Sequence, residues 1–129
     1  MESLSILGTA ITPLISFNPL SGVMEIQGRS IPENTDDFWP PILNWFESYL
    51  IKPTIKTTFK IDLEYFDISS SKRILFLLNK LTEISENGFD VCVEWIYKKE
   101  NEEMYEVGKD FDFMVKVPFK FQESDIIKT

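Results

Sequence analysis

A run of hydroxyl and charged side chains at positions 67–73, Asp-Ile-Ser-Ser-Ser-Lys-Arg, is the part of the sequence best suited to chemistry. A serine hydroxyl can accept phosphate, and it can also cap a helix because its oxygen accepts a hydrogen bond from a free backbone amide. The free amides at a helix N-terminus also favour a bound anion. Ser69 or Ser70 is therefore predicted either as a helix cap or as part of a phosphate site.

The residues around this run predict a strand that passes directly into a helix. From Thr57 to Tyr65 apolar and polar residues alternate, which is typical of a strand covered on one face only. From Ile74 to Leu81 apolar residues recur at helical spacing, so that helix can cover the strand. The serines thus lie at the strand-to-helix turn.

The segment YFDISSSKRIL resembles the strand-turn-helix of the SiaC family, bacterial regulatory phosphoproteins whose pattern there is Tyr, Phe or Leu, Asn, Thr, Ser, Ser, a variable residue and Lys. The blocks GTAITPLISF, GRSIPENTDDFWPPILNWFESYL and VEWIYKKENEEMYEVGKDF, followed by VPF, resemble family blocks in the family's order. The resemblance covers nearly the whole chain. It implies a fold similar to the STAS domains of anti-sigma-factor antagonists, in which a Ser or Thr at the same turn is the phosphorylation switch.

The resemblance also implies a function, that of a non-enzymatic adaptor that acts by phosphorylation-dependent partner switching. The unphosphorylated form would bind and activate a diguanylate cyclase, which raises cyclic di-GMP and favours biofilm formation. A dedicated Ser/Thr kinase would phosphorylate the turn, and a metal-dependent Ser/Thr phosphatase would reverse the reaction. No cofactor is expected, because the sequence contains neither a Walker A nor a Gly-x-Gly-x-x-Gly pattern.

Position 68 departs from the family pattern. The family's phosphorylated Thr falls on Ile68, which has no hydroxyl, and the preceding Asn is replaced by Asp67. Three outcomes follow: Ser69 becomes the phosphoacceptor, the chain is a constitutive interaction scaffold that has lost the switch, or Asp67 partly imitates the phosphate charge. The residues expected to shape the partner contact are Asp67, Ile68, Ser70, Ser71 and Lys72.

Composition narrows the class of protein. A chain of 129 residues with 43% hydrophobic residues predicts one packed domain over residues 1–129, with a polar tail at 122–129 that we expect to fray. The net charge of −8 opposes nucleic-acid binding, which requires a basic surface. No apolar run reaches the roughly 18 residues of a membrane span. The lone Cys92 excludes an internal disulfide, fits a cytoplasmic location, and is expected to be a small buried hydrophobe.

The sequence offers little enzyme chemistry. It contains no His, so the common general base and the usual zinc ligand sets are missing, and no metal site is expected. The nearest carboxylate cluster is Asp62, Glu64 and Asp67, on a face that we expect to be solvated. The acidic run 100–110 is either a solvated helix face or a surface for a basic partner. Lys72 and Arg73 near a helix start indicate a neighbouring negative charge that offsets them.

The remaining segments predict a mixed α/β (α+β) fold. A hairpin is expected over 14–27 around the turn Pro19–Gly22, followed by a helix that begins between Asn34 and Asp37. Further predictions are a strand at 91–98, a short acidic helix at 100–109 and a last strand at 111–119. This order predicts a mixed sheet with its helices chiefly on one face.

Overall fold

The computed structural model describes residues 1–124, which form one mixed sheet and three helices. The predicted fold class is confirmed. In chain order the elements are β1 (Leu4–Ile6), β2 (Leu14–Phe17), β3 (Val23–Ser30), α1 (Thr35–Ile51), β4 (Lys56–Phe66), α2 (Ile68–Glu86), β5 (Asp90–Lys98), α3 (Glu102–Met114) and β6 (Phe119–Ser124).

The six strands lie in the sheet in the same order as in the chain. β1, β2 and β3 are antiparallel, whereas β3 to β6 are parallel, with one helix in each crossover. The predicted hairpin is confirmed as β2 and β3, and the Asn18 side chain holds its turn by accepting hydrogen bonds from the amides of Leu20 (2.9 Å) and Ser21 (3.2 Å). Because the three crossovers advance in one direction, right-handed connections place all three helices on one face.

Burial along β4 follows this arrangement. Phe59 and Ile61 are fully buried against the helices, whereas Thr58 and Lys60 on the opposite face are half-buried. The predicted alternation is confirmed from Thr57 to Leu63, but it is wrong at Tyr65, which was expected on the covered face and is 50% exposed. The register shifts after Leu63, so that Phe66 packs against the core instead. The buried side chains of the strands and of all three helices form one continuous core, with Trp39, Tyr49 and Trp95 as its largest members.

The opposite face of the sheet, the open face, carries a row of alternating charge. Glu25 on β3 pairs in register with Lys60 on β4, Lys60 with Glu94 on β5, and Glu94 with Lys120 on β6. Opposite charges on neighbouring strands attract, so the row favours this register. A polar open face is also what the single-face helix arrangement requires.

Helix α1 accommodates two prolines. Asn34 caps it by accepting a hydrogen bond from the Asp36 amide at 3.1 Å, so regular helix begins at Thr35 and includes Pro40 and Pro41. The indole of Trp45 stacks on Tyr49 at 5.6 Å between ring centroids, which supports a packing role for this side chain.

No helix within residues 1–124 is both long enough and apolar enough to cross a membrane.

Two predictions near the C-terminus are wrong. The segment expected as the last strand, 111–119, instead begins as the end of α3, which runs to Met114, and β6 starts only at Phe119. Residues 122–124 of the expected frayed tail pair with β5 as the end of β6, and residues 125–129 lie outside the described part. The three-residue strand β1 was not predicted at all, because so short a segment shows almost no periodicity.

Candidate functional site

The β4–α2 turn consists of a single residue, Asp67, between the last residue of β4 and the first of α2. Asp67 is the helix cap, since its Oδ1 accepts a hydrogen bond from the Ser70 amide at 2.8 Å. The prediction that Ser69 or Ser70 caps the helix is therefore wrong. Asp is as good a cap as Ser, and α2 already begins at Ile68, so the cap position falls on residue 67. The turn lies at the carboxyl ends of parallel strands, where open α/β sheets commonly bind ligands.

The three serines have different environments. Ser70 is fully buried: its hydroxyl donates to the Ser30 carbonyl oxygen at 3.0 Å and shares a 2.7 Å hydrogen bond with the Ser30 hydroxyl. The expectation that Ser70 contacts a partner is corrected, because a sealed side chain cannot reach one. Ser69 is half-buried, and its hydroxyl makes no hydrogen bond within residues 1–124. Ser71 is half-buried and lines a cavity beside the turn.

Ile68 presents most of its side chain to solvent, with 78% of its surface exposed. It borders a cavity of about 320 Å³ together with Phe66, Phe111 and Met114. The position that carries a hydroxyl in the family pattern is thus an exposed apolar group at the edge of an apolar cavity. An exposed apolar side chain of this size gains free energy when a partner covers it.

The basic residues at the start of α2 behave differently from each other. Arg73 forms an ion pair with Asp36 of α1 at 3.6 Å, so the offsetting negative charge predicted from the sequence comes from a neighbouring helix and not from the turn. Asp36 is 92% exposed, which makes this pair a weak contribution to stability. Lys72 is exposed and is the fifth residue of α2.

The carboxylates considered as an alternative site do not come together. Asp62 and Glu64 line a cavity of about 120 Å³ beside Lys98, whereas Asp67 lines the cavity at the turn. Glu64 also lines a cavity of about 90 Å³ that shares Phe66 and Val107 with the cavity at the turn, but Asp62 lines neither of these two. Within the described range 1–124, no group of three or more His, Cys, Asp or Glu side chains is placed to hold a metal ion. The three carboxylates therefore do not form one site.

Cys92 lies on the open face of the sheet and is half-buried, which corrects the expectation that it belongs to the core. It pairs in register with Thr58, on the face away from the helices. Burial raises the pKa of its thiol above the ordinary value, and the nearby Glu94 carboxylate raises the pKa further. A raised thiol pKa lowers the thiolate fraction at neutral pH, so Cys92 is not an activated nucleophile.

Sequence reasoning missed two parts of the site. Ser30 was not considered, although its carbonyl oxygen also accepts a 3.0 Å hydrogen bond from the Asp67 amide, because nothing in the sequence links it to residues so far along the chain. The position of the α3 residues Val107, Asp110 and Met114 beside the turn was also missed, although Asp110 was considered as part of the acidic run 100–110. Their spacing of three and four residues is typical of one face of a helix. Because a strand was predicted for 111–119, Met114 was not assigned to that helix.

Comparison with known proteins identifies relatives over nearly the full length. Residues 6–124 match the family described as SiaC family regulatory phosphoprotein. An uncharacterized protein of Pseudomonas aeruginosa strain UCBPP-PA14 is 30% identical over 125 residues, which cover 97% of this chain and 99% of that protein.

Solved structures from Pseudomonas aeruginosa are similar in fold. Apo-SiaC has a TM-score of 0.88 at 30% identity and covers 95% of this chain and 99% of its own. SiaC also matches in a crystal structure of the diguanylate cyclase SiaD in complex with its activator SiaC, with a TM-score of 0.88, 30% identity and coverage of 94% and 99%. The match over residues 6–124 and the near-complete structural overlap show that this chain belongs to the SiaC family of regulatory phosphoproteins.

Proposed function

We propose that this chain is a non-enzymatic adaptor that binds and activates a diguanylate cyclase through the β4–α2 turn. The observation that carries the proposal is the fold match to SiaC in its complex with the cyclase SiaD, where SiaC is the activator. The turn supports the proposal because Ile68, directly after it, is exposed to solvent beside an apolar cavity. Activation would raise cyclic di-GMP in the cytoplasm and favour biofilm formation.

The proposed switch is phosphorylation of Ser69 by a Ser/Thr kinase, reversed by a metal-dependent Ser/Thr phosphatase. Ser70 is sealed inside the protein, and Ile68 has no hydroxyl, so Ser69 and Ser71 are the hydroxyls left at the turn. Ser69 lies one residue after Ile68, and its hydroxyl has no competing hydrogen bond within residues 1–124. A phosphate there adds about two negative charges to the contact surface, which opposes binding of a partner that buries the turn.

A second candidate is a constitutive scaffold of the same fold that binds its partner without a switch. Ile68 favours it, because an apolar side chain replaces the phosphoacceptor and remains exposed where a partner can cover it. The third outcome, in which Asp67 imitates phosphate, has less support. The Asp67 carboxylate caps α2, a role that Asn at the same position fulfils equally well.

The test measures cyclic di-GMP synthesis from GTP by the diguanylate cyclase of the same genome, with and without the purified chain. We expect the chain to raise the cyclase rate, and incubation with the cognate kinase and ATP to add one phosphate at Ser69 and remove the activation. Ser69→Ala should retain activation and block phosphorylation. If the wild-type chain activates the cyclase but is not phosphorylated, and Ile68→Thr makes it a substrate of the kinase, the constitutive scaffold is favoured. No binding and no activation would overturn the adaptor proposal.

A further inference from the structure

Strand β6 forms an edge of the sheet. It pairs with β5 on one side, and no strand within residues 1–124 pairs with its other side. The Val93 amide donates to the Pro118 carbonyl oxygen at 2.9 Å, and Val93 is in register with Phe119. Because the backbone groups of successive residues point to opposite sides of a strand, the amides and carbonyls of Phe119, Phe121 and Glu123 point away from β5. These groups form a template to which a further strand can add.

The side chains of the same three residues lie on the face of the sheet that the helices cover. The Phe119 ring stacks on Trp95 with 6.5 Å between centroids, and the Phe121 ring contacts Tyr105 of α3 edge to face at 5.4 Å. Glu123 lines a cavity of about 460 Å³ that is bordered by the end of β5, by α3 and by β6. In an added strand every second side chain would lie on this face, about 4.8 Å from β6. The cavity is therefore within reach of a side chain of that strand.

This space, which we call the β6 cavity, has a lining that suits a cation. The rings of Tyr97 and Tyr105 border it, with 5.0 Å between their centroids. The remaining lining residues are one lysine and four glutamates: Lys99, Glu102, Glu103, Glu106 and Glu123. Carboxylates pair with Lys or Arg, and the faces of aromatic rings attract the same cations. The β6 cavity is thus complementary to a basic side chain.

The aromatic rings beside the β6 cavity already hold one cation of the protein itself. The Lys109 ammonium lies 4.7 Å from the centroid of the Phe121 ring and 5.8 Å from that of the Tyr105 ring. Lys109 does not line the cavity, and none of the four cavity glutamates forms an ion pair within residues 1–124. The carboxylates are therefore available to a cation from another molecule.

The β6 cavity is separate from the β4–α2 turn. Glu102, Tyr105 and Glu106 line the β6 cavity, whereas Val107 and Asp110 line the cavity at the turn. At about 100° per residue, these two sets lie about 120° apart around α3. A segment bound at β6 would therefore leave the turn accessible.

We propose that the β6 edge binds an extended segment of a partner protein as an added strand, which places a Lys or Arg side chain in the β6 cavity. The outward backbone groups of Phe119, Phe121 and Glu123 supply affinity, and the cavity selects a basic residue. The inference goes beyond the proposed function, because it adds a second contact surface. A second copy of this chain is a poor occupant, since pairing of two β6 edges would bring two acidic cavities together.

The test uses the isotope-labelled full chain and two synthetic peptides of about eight residues, one of alternating Thr and Arg and one of alternating Thr and Glu. At about 150 mM salt we expect the Arg peptide to bind and the Glu peptide not to bind. Saturating Arg peptide should slow hydrogen exchange at the amides of Phe119, Phe121 and Glu123 by about tenfold or more. The amides of Lys120 and Gln122, which already face β5, should change by less than about threefold. Resonance shifts without slower exchange at the three outward amides would overturn strand addition.

A matched charge control separates the β6 cavity from the net charge. The double variant Glu102→Lys with Glu106→Lys should weaken Arg-peptide binding by about tenfold or more. Glu33→Lys with Glu86→Lys changes the net charge by the same amount at exposed residues that do not line the cavity, and should weaken binding less than about threefold. Equal losses for the two double variants would overturn the selection of a basic residue by the cavity.

Backbone methylation and the oligomeric state complete the test. Only one alternate set of peptide amides can face β6, so an Arg peptide N-methylated at every Arg and one N-methylated at every Thr should differ in affinity by about tenfold or more. Equal affinities of these two peptides would contradict backbone pairing. Sedimentation of the free chain should give a monomer, and a dimer with slowed exchange at the three outward amides would show that a second copy, and not a partner segment, occupies the edge.

Discussion

Two serine hydroxyls from distant parts of the chain hold the β4–α2 turn against the end of β3. Ser30 and Ser70 are both fully buried, 40 residues apart in sequence, and hydrogen-bonded to each other at 2.7 Å. The Ser30 carbonyl oxygen receives two further hydrogen bonds, from the Ser70 hydroxyl and from the Asp67 amide, each 3.0 Å long. A buried polar group is costly when it loses its partner, so this cluster holds the turn in one conformation.

Removal of the Ser70 hydroxyl should be more damaging than removal of the Ser30 hydroxyl. Ser70→Ala leaves the Ser30 hydroxyl buried without a partner, and we expect it to lower the free energy of unfolding by about 1–3 kcal/mol. Ser30→Ala leaves Ser70 bonded to the Ser30 carbonyl, so its loss should be nearer about 1 kcal/mol. Urea denaturation measures both values.

The double variant and a neighbouring serine supply the controls. Ser30→Ala with Ser70→Ala should cost less than the sum of the two single losses, because neither hydroxyl is then left unpaired. Ser71→Ala should change stability by no more than about 0.5 kcal/mol. If the loss of unfolding free energy in the double variant equals the sum of the two single losses, the hydrogen bond between the Ser30 and Ser70 hydroxyls is contradicted.

Cys92 gives a pH-dependent prediction. Because burial and, next, Glu94 raise the pKa of its thiol, alkylation by iodoacetamide should reach half its maximal rate at a higher pH than for free cysteine. Glu94→Gln removes a charge that disfavours the thiolate, so this variant should move the midpoint back toward lower pH. A midpoint below that of free cysteine would contradict the assignment.

Helix α3 shows why one boundary was mispredicted: a helix was expected at 100–109, but it runs from Glu102 to Met114. Phe111, Phe113, Val115, Val117 and Phe119 alternate like a strand, yet Phe113 is 89% exposed and Phe111 is buried within the helix. The competing helical pattern, Met104, Gly108 and Phe111, is buried against the sheet. The two patterns overlap at Phe111, so the sequence pattern alone does not determine where the helix ends. The helix forms because Asn101 caps it, accepting from the Met104 amide at 3.1 Å, and because its buried face packs on Trp95.

Gly108 sets how closely α3 approaches the sheet. A Cβ at this position would lie 2.6 and 2.7 Å from Cδ1 and Cε2 of Trp95, closer than packed atoms allow. The Trp95 indole also donates a 3.0 Å hydrogen bond to the Met104 carbonyl on the same helix, which restricts its movement. Gly108→Ala should therefore destabilise the protein by about 1–3 kcal/mol, even though Ala favours helices.

Urea denaturation followed by tryptophan fluorescence measures the Gly108 effect. Glu106→Ala, on the same helix but exposed, is the control and should change stability by no more than about 0.5 kcal/mol. A stabilised Gly108→Ala variant would show that α3 lies farther from Trp95 than described.

At the scale of the whole molecule, the general architecture was accessible from the sequence and the site was accessible only in part. The hairpin, β4, α2 and β5 follow from alternation, helical spacing and turn residues, all of which are local signals. The burial of Ser70 and the apolar cavity beside Ile68 depend on contacts between segments far apart in the chain. Local patterns contain no information about such contacts.

A single continuous core predicts a single cooperative unfolding transition. Trp39 on α1 and Trp95 on β5 are both fully buried in this core, although they belong to different parts of the chain. Urea curves from far-UV circular dichroism and from tryptophan fluorescence should therefore have the same midpoint. Trp39→Phe combined with Trp45→Phe leaves only Trp95 on β5, and Trp95→Phe leaves only the two tryptophans of α1, so these two variants report on one region each. Separate midpoints for the two probes within either variant would reveal independently unfolding parts.

The charge row on the open face affects how the molecule meets other proteins. Two Glu and two Lys side chains in register cancel one another, so this row contributes nothing to the overall charge of −8. Glu64, Asp67, Glu103 and Asp110 line two cavities beside α3, and no Lys or Arg is among the residues that line those cavities. Attraction of a cationic partner to these cavities should therefore weaken as the salt concentration rises.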